Sequence, residues 1–452
     1  MVTGATIGAG MLALPTVTAP AGLCPSLAVL GGAWLMLSLT ALAIAEVNLA
    51  LREKRAQDIV AGPSTDHIVS ISEMAAETLG SSGAFCVTLV YCVLEITLLV
   101  AYINKAGSVL ENATGAPAWA SAAAFTGVLG TLVAAGGTEA TERVNRLMTA
   151  ALLLAFGGII FELSTNGNAH WDAALSVADW SAAPAALPIV LLSLVYHDLI
   201  PVLVAYLGGD RGRIRTCLVA GSLIPLAMFA SWDAVALASV PGAPSGAVVD
   251  PLAALAAGGA GAAWLGPVLT MFSLLAIATS FSCTALSTVE YVAAELARLL
   301  ARGARDDDGG ATPPPPPERI RPWAFLLGLG PPCLIAASPN PDIFLAAANV
   351  AGGVFDTALY GILPPLMAYG LRHSPETPDA VAPMVPGGRA ALGGVFGAFL
   401  CVGLYQAMES ASEVVPAAAG QAEAVPMLAA AEGTSRVAEI GSQLVSIIGG
   451  LQ

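Results

Sequence analysis

Charge is scarce in this chain: only 11% of its 452 residues are Asp, Glu, Lys or Arg, against about 25% in a soluble domain. Ordinary globular domains are thereby excluded. Lysine is nearly missing, with Lys54 and Lys105 alone, and the formal net charge is −15. Nothing here forms the basic footprint that nucleic acid requires, so a nucleic-acid partner is excluded. The seven cysteines stand singly with no Cys-x-x-Cys spacing, which leaves neither a disulfide framework nor a zinc site. His-Glu-x-x-His and Gly-x-Ser-x-Gly are both missing, so no catalytic residue is assigned and no cofactor is implied.

What the chain does have is apolar residues, 56% of the total with a mean hydropathy of +0.77. Disorder is therefore excluded for most of its length. Its 48 Gly and 31 Pro follow no three-residue period, so collagen is excluded, while both residues are frequent in membrane helices. Runs of about 20 apolar residues cross a bilayer as helices. Eleven are found, at 1–20, 26–50, 82–104, 119–136, 147–164, 184–207, 216–240, 264–297, 322–338, 343–370 and 390–409. A soluble bundle of buried helices would need more polar surface than these runs leave. The expected fold is all-α and integral to a lipid bilayer.

Orientation follows from the basic residues in the connections. With the N-terminus inside, loops 51–81, 137–146, 208–215, 298–321 and 371–389 face inward and hold 15 of the 17 basic residues. Only Lys105 and Arg436 remain outside. An error of one span would scramble this segregation. Loop 298–321, with Asp306 to Gly310 and Pro313 to Pro317, reads as a flexible linker. Residues 410–452 form an Ala-rich outer tail, and Ser435 to Leu451 is expected to make a short amphipathic helix. By the same division nine acids lie in or at the ends of spans: Glu46, Glu95, Glu162, Asp198, Asp233, Glu290, Glu295, Asp356 and Glu409.

Two spans contain irregular sequence. The first reads Gly4-Ala5-Thr6-Ile7-Gly8-Ala9-Gly10, continuing to Pro15. Each glycine lowers helix propensity by about 1 kcal/mol relative to alanine, and unwound backbone survives in a membrane only where it is buried or lines a polar cavity. A half-helix starting near Gly10 would offer free N–H groups and a positive dipole end to a carboxylate. The competing reading is a small-residue packing face. The sixth span reads Ser193-Leu194-Val195-Tyr196-His197-Asp198, followed by Pro201. Ionisable groups in mid-span mark function by default, and the competing reading is a structural His–Asp pair holding the bend. Interruptions in spans one and six correspond if the first ten spans form two inverted halves, which is the pattern of a secondary transporter. In span eight Ala276, Thr279 and Ser280 share a helical face that can ligate a hard cation, although such hydroxyls often bond back to their own helix.

At these residues the sequence resembles the hydroxy/aromatic amino-acid permease family (tryptophan/tyrosine permeases) of the amino acid–polyamine–organocation superfamily. The resemblance also rests on Glu46-Val47-Asn48, on Gly221 to Leu226 leading into Ser231-Trp232-Asp233, and on Phe272 to Phe281. Val195 to Asp198 looks closer to the plant and algal type. The resemblance implies a LeuT-type fold of five-plus-five inverted repeats, about 1–164 and 184–370, with an eleventh helix at 390–409 inside a transporter domain of 1–409. It implies alternating-access symport of an aromatic amino acid, Trp or Tyr, with H⁺, the alternatives being Na⁺ coupling and other neutral amino acids. An intramembrane enzyme using His197 and Asp198, or a substrate sensor, are remoter alternatives. Carried over residue by residue, Gly8, Ala9 and Gly10 would hold the substrate carboxylate. Ala5, Thr6, Ser193, Val195, Tyr196 and His197 would surround its ammonium. Gly4, Ile7, Ala276, Thr279 and Ser280 would match a Na⁺ position, and no other metal is implied. Asp198, Glu95 and His197 are the candidate proton carriers. The superfamily's first helix has an inner half before the break, so the chain is expected to lack that half-helix and any targeting peptide, and to transport less than a version extended N-terminally. A chloroplast envelope and a plasma or inner membrane are the expected locations.

Overall fold

The computed structural model describes residues 6–58, 69–165, 169–239, 264–303, 317–336, 343–373 and 383–421. No strand occurs among them. In hydrocarbon every backbone polar group must be satisfied within its own segment, and the apolar runs meet that demand as helices. They are α1 (Gly10–Thr18), α2 (Leu23–Asp58), α3 (Ile71–Thr114), α4 (Ala118–Thr165), α5 (Trp171–Ser176), α6 (Leu187–Leu194), α7 (Ile200–Tyr206), α8 (Arg211–Ser239), α9 (Leu265–Gly303), α10 (Pro317–Ala336), α11 (Ile343–His373) and α12 (Gly388–Gln421). Eight helical segments among the described residues are long and apolar enough to cross a membrane. One of them, α4, contains spans four and five, and α1 and α10 complete the eleven. The linker residues 306–310, the segment 435–451 and the site residues Gly4 and Ala5 lie outside the described residues.

Several helices run past the spans read from sequence, α3 to Thr114 and α12 to Gln421 among them, and two departures have a clear local cause. Helix α3 starts at Ile71 rather than at 82, because Ser70 and Glu73 form a capping box. The Ser70 hydroxyl accepts from the Glu73 N–H at 3.2 Å and the Glu73 carboxylate accepts from the Ser70 N–H at 3.1 Å. This Ser-x-x-Glu signature is followed by a kink at Gly80. Spans four and five are joined without a long loop: α4 folds at Gly137, whose φ of 63° and ψ of −167° suit only glycine.

The described residues fall into two compact units, Met1–Gly403 and Leu404–Gln452. The second starts within α12. In the first, one apolar cluster gathers Met11, Leu14, Ile103, Trp232, Phe272 and Phe281. Another gathers Ile44, Leu49, Met74, Val204, Tyr360 and Met367. Large apolar side chains such as Phe85, Leu154 and Leu334 point outward, as they do where the solvent is lipid.

Polar contacts sort the loops by face. Arg211 pairs with Glu53 at 3.0 Å, Lys54 with Glu77 at 3.7 Å, and Arg372 with Glu46 at 2.6 Å. Three of the loops assigned inward by charge thus meet on one side. Elsewhere the His170 N–H donates to Ala238 C=O at 2.7 Å and the Asp179 N–H to Ala21 C=O at 2.9 Å. These join the ends of α1 and α8 to the segment before α6. The Ser181 hydroxyl, then its N–H, donates to Asp179, and these bonds hold that exposed carboxyl below the usual carboxylate range.

Glu46 is a buried, multiply bonded charge. Its Oε1 accepts from Arg372 Nε at 2.6 Å, and its Oε2 accepts from Arg372 Nη2 and from the Met384 N–H, both at 2.8 Å. Two residues along, Asn48 Nδ2 donates to Val69 C=O at 2.9 Å. The Glu46-Val47-Asn48 signature is therefore a clamp on α11, the segment before α12 and the segment before α3.

Candidate functional site at the two broken helices

The first break lies directly before α1, where Ile7, Gly8 and Ala9 leave the α-helical pattern. The Ala9 N–H donates to Ser280 Oγ on α9 at 3.0 Å. Gly8 sits against the same hydroxyl, 2.1 Å from where a Cβ would stand. Gly10 faces α6 just as closely: a Cβ there would lie 2.7 Å from Ser193 Oγ and 3.1 Å from Ser193 Cα. The glycines thus let α1 touch both α6 and α9.

Pro15 has no N–H, so it cannot bond the Met11 carbonyl four residues earlier. Trp232 Nε1 on α8 donates to that carbonyl instead, at 2.9 Å. Thr18 Oγ1 donates to Leu14 C=O at 2.8 Å and to Asp233 Oδ1 at 2.6 Å. The neighbouring pair Trp232-Asp233 therefore grips the half-helix at two levels. The Trp232 ring also packs on Phe272 and Phe156. Trp232→Phe keeps an aromatic ring but strands the Met11 carbonyl, and is expected to lower stability by about 1–3 kcal/mol, read by thermal unfolding in detergent.

The second break separates α6 from α7. Val195 is extended (φ −68°, ψ 134°), Tyr196 has φ −146° and ψ 17°, and His197–Leu199 form a single 3₁₀ turn. His197 and Asp198 do not pair with each other, contrary to the structural His–Asp reading of the sequence, because adjacent residues in this turn point to different neighbours. His197 Nε2 lies 2.9 Å from Thr40 Oγ1 and 3.2 Å from Leu37 C=O on α2. Since a carbonyl only accepts, Nε2 carries the proton. Nδ1 has no partner among the described residues, and the fully buried ring lies between Tyr196 and Tyr360. Asp198 instead accepts the Tyr360 hydroxyl proton at 2.6 Å.

Asp198 borders a cavity of about 600 Å³ lined also by Tyr91, Thr88, Tyr291, Tyr360 and the start of α3 from Ser70 to Glu73. Glu95 lies nearby on α3, its Oε2 accepting from Ser287 at 2.8 Å and Thr288 at 3.1 Å on α9. Asp356, in the π-helical middle of α11 (Ala351–Ile362), is 2% exposed, and its Oδ2 has no hydrogen-bond partner among the described residues.

Of the residues singled out from sequence, Gly8, Ala9, Gly10, Ser193 and Ser280 come together at one point. Thr6, Ile7, Val195 and Tyr196 flank the breaks. Thr279 Oγ1 bonds back to Ala276 C=O at 3.0 Å, the self-bonding alternative. Asp198 and Glu95 belong to the polar group beside Asp356. Sequence reasoning missed Asp356 and Tyr360 as members of that group. Their i, i+4 spacing in a span was visible, but nothing in one sequence says what faces them.

Two discontinuous helices in contact, among described residues that are all helical and hold eight membrane-capable segments, define a LeuT-type membrane-protein fold. The solved structure of MhsT in complex with L-phenylalanine has this fold, matching at a TM-score of 0.57 over 87% of this chain and 96% of that one, with 16% identity. The tryptophan/tyrosine permease family model matches residues 1–406, and the chain belongs to that family. It is 31% identical over 239 residues to the "Tyrosine-specific transport system 2" of Haemophilus influenzae, covering 52% of this chain and 55% of that protein. It is 29% identical over 310 residues to the "Tryptophan-specific transport protein" of Shigella flexneri, covering 64% and 70%. The chain thus spans little more than half the length of the first relative. The protein is a multi-pass integral membrane protein of that family.

Proposed function

We propose that the protein is a secondary active transporter that carries an aromatic amino acid, tryptophan or tyrosine, together with a proton by alternating access. The observation that carries this reading is the contact of the two broken helices, Gly10 on Ser193 and the Gly8–Ala9 backbone on Ser280. Backbone groups at such breaks suit the charged ends of an amino acid: N–H groups around Gly8 to Gly10 for the carboxylate, carbonyls around Ser193 to His197 for the ammonium. The names of the Haemophilus and Shigella relatives support an aromatic side chain. Inverted repeats at about 1–164 and 184–370 would let one bundle rock against the other around this point. Asp198 and Glu95 supply titratable groups within the membrane, which support proton coupling. The Ser280 hydroxyl beside Gly8 keeps a Na⁺ position as the alternative. A chloroplast envelope or a plasma or inner membrane, with the N-terminus on the inner side, is the proposed location.

The test is uptake of labelled Trp and Tyr into proteoliposomes under separately imposed H⁺ and Na⁺ gradients. Concentrative uptake under the H⁺ gradient alone is expected. No uptake under either gradient would sink the transporter reading, and uptake driven only by Na⁺ would replace the coupling ion.

A further inference from the structure

We propose that Asp356 is the group that holds the coupling proton, exchanging it with Asp198 at the wall of the cavity. This rests on the proton-coupled reading above and goes beyond it by naming the carrier. Three carboxyl groups act on one another here: Asp198 and Glu95 are the charged groups that bear on Asp356. They are not equally provided for. Glu95 has the Ser287 and Thr288 hydroxyls, and Asp198 has the Tyr360 hydroxyl. Asp356 Oδ2 has no donor among the described residues and is enclosed by protein. An ionised carboxylate there would stand buried and unpaired, at high cost. A proton on Asp356 removes that cost, and giving it up requires a donor or water to be brought to the group.

The backbone around Asp356 can supply that change. It is π-helical from Ala351 to Ile362, a wide-turn form that concentrates at functional sites. Pro364 and Pro365, which have no N–H to give, follow directly. Tyr360 lies four residues beyond Asp356 on the same helix and ties it to Asp198 at the second break. The proton balance is simple. Cavity water gives one proton to Asp198, Asp198 passes it to Asp356, and Asp198 returns to the carboxylate that Tyr360 holds. The titratable groups that bear on Asp356 are Glu95 and Tyr102 from α3, Asp198 from the break, and Tyr360 from α11 itself.

The test uses the full chain in proteoliposomes under a gradient of about one pH unit. Each proton carried supports up to about tenfold accumulation of substrate. Wild type is expected to reach accumulation of that order, Asp356→Asn to stay near a ratio of one, and Asp356→Glu to regain most of the difference. Wild-type accumulation in Asp356→Asn would overturn the proposal and leave proton symport standing. A wild type indifferent to the pH gradient overturns both. Infrared spectra of the purified protein give a second reading that needs no transport. A carboxylic-acid C=O band is expected in wild type and lost in Asp356→Asn, and a spectrum unchanged by the substitution overturns the proposal.

Discussion

Valine at position 10 is expected to abolish uptake of tryptophan and tyrosine, by about a hundredfold or more. A Cβ at Gly10 would lie 2.7 Å from Ser193 Oγ and 3.1 Å from Ser193 Cα, so even one methyl meets backbone. Ser193 cannot step aside freely, because its hydroxyl donates to Ile189 C=O at 2.7 Å. The two half-helices must part. Overpacking of this kind costs about 1–3 kcal/mol, and a shift of about 1 Å at a site can cost about a hundredfold in rate. Labelled-substrate binding in detergent, thermal unfolding and proteoliposome uptake together separate the causes. Undiminished binding in Gly10→Val rules out the backbone as the carboxylate site. If close packing is the reason for the glycine, Gly10→Ala should be impaired and Gly10→Ala/Ser193→Gly should recover.

Removing Glu46 is expected to have the largest effect on stability. Its carboxylate answers two nitrogens of Arg372 and the N–H groups of Met384 and Val385, while the Arg372 side chain is 13% exposed. Glu46→Ala leaves that guanidinium buried without its partner, a loss of about 3–5 kcal/mol. The double variant Glu46→Met/Arg372→Leu exchanges the pair for apolar groups and is expected to recover much of the loss. Thermal unfolding in detergent checks both, and a Glu46→Ala protein as stable as wild type would remove the clamp from the account. The exposed pair Lys54–Glu77, by contrast, is worth well under about 1 kcal/mol.

Much of the fold was legible because a bilayer constrains sequence so strongly. A span must be apolar for about 20 residues, so α2, α8, α9 and α11 announced themselves. Charge segregation put loops 51–81, 208–215 and 371–389 on one face; the Glu53–Arg211 pair joins the first two, and Arg372 of the third reaches Glu46 on α2 just before the first. The breaks in spans one and six were equally visible, because Gly-rich and Pro-containing runs depart from helix propensity locally. The start of α3 at Ile71 was written as Ser70 and Glu73 but lay inside a segment read as loop.

By itself, then, the sequence determined that this is a membrane-spanning helical protein, where its helices break, and which family it belongs to. Each of these is set by residues close together along the chain. Partners were decided only by the tertiary structure: His197 to Thr40 on α2, Asp198 to Tyr360 on α11, and the Met11 carbonyl to Trp232 on α8. The physical reason is that a buried polar atom must find whatever neighbour the packing of helices brings to it, and that neighbour lies up to hundreds of residues away. Local pattern shows that such a residue needs a partner, and only the assembled helices show which one it has.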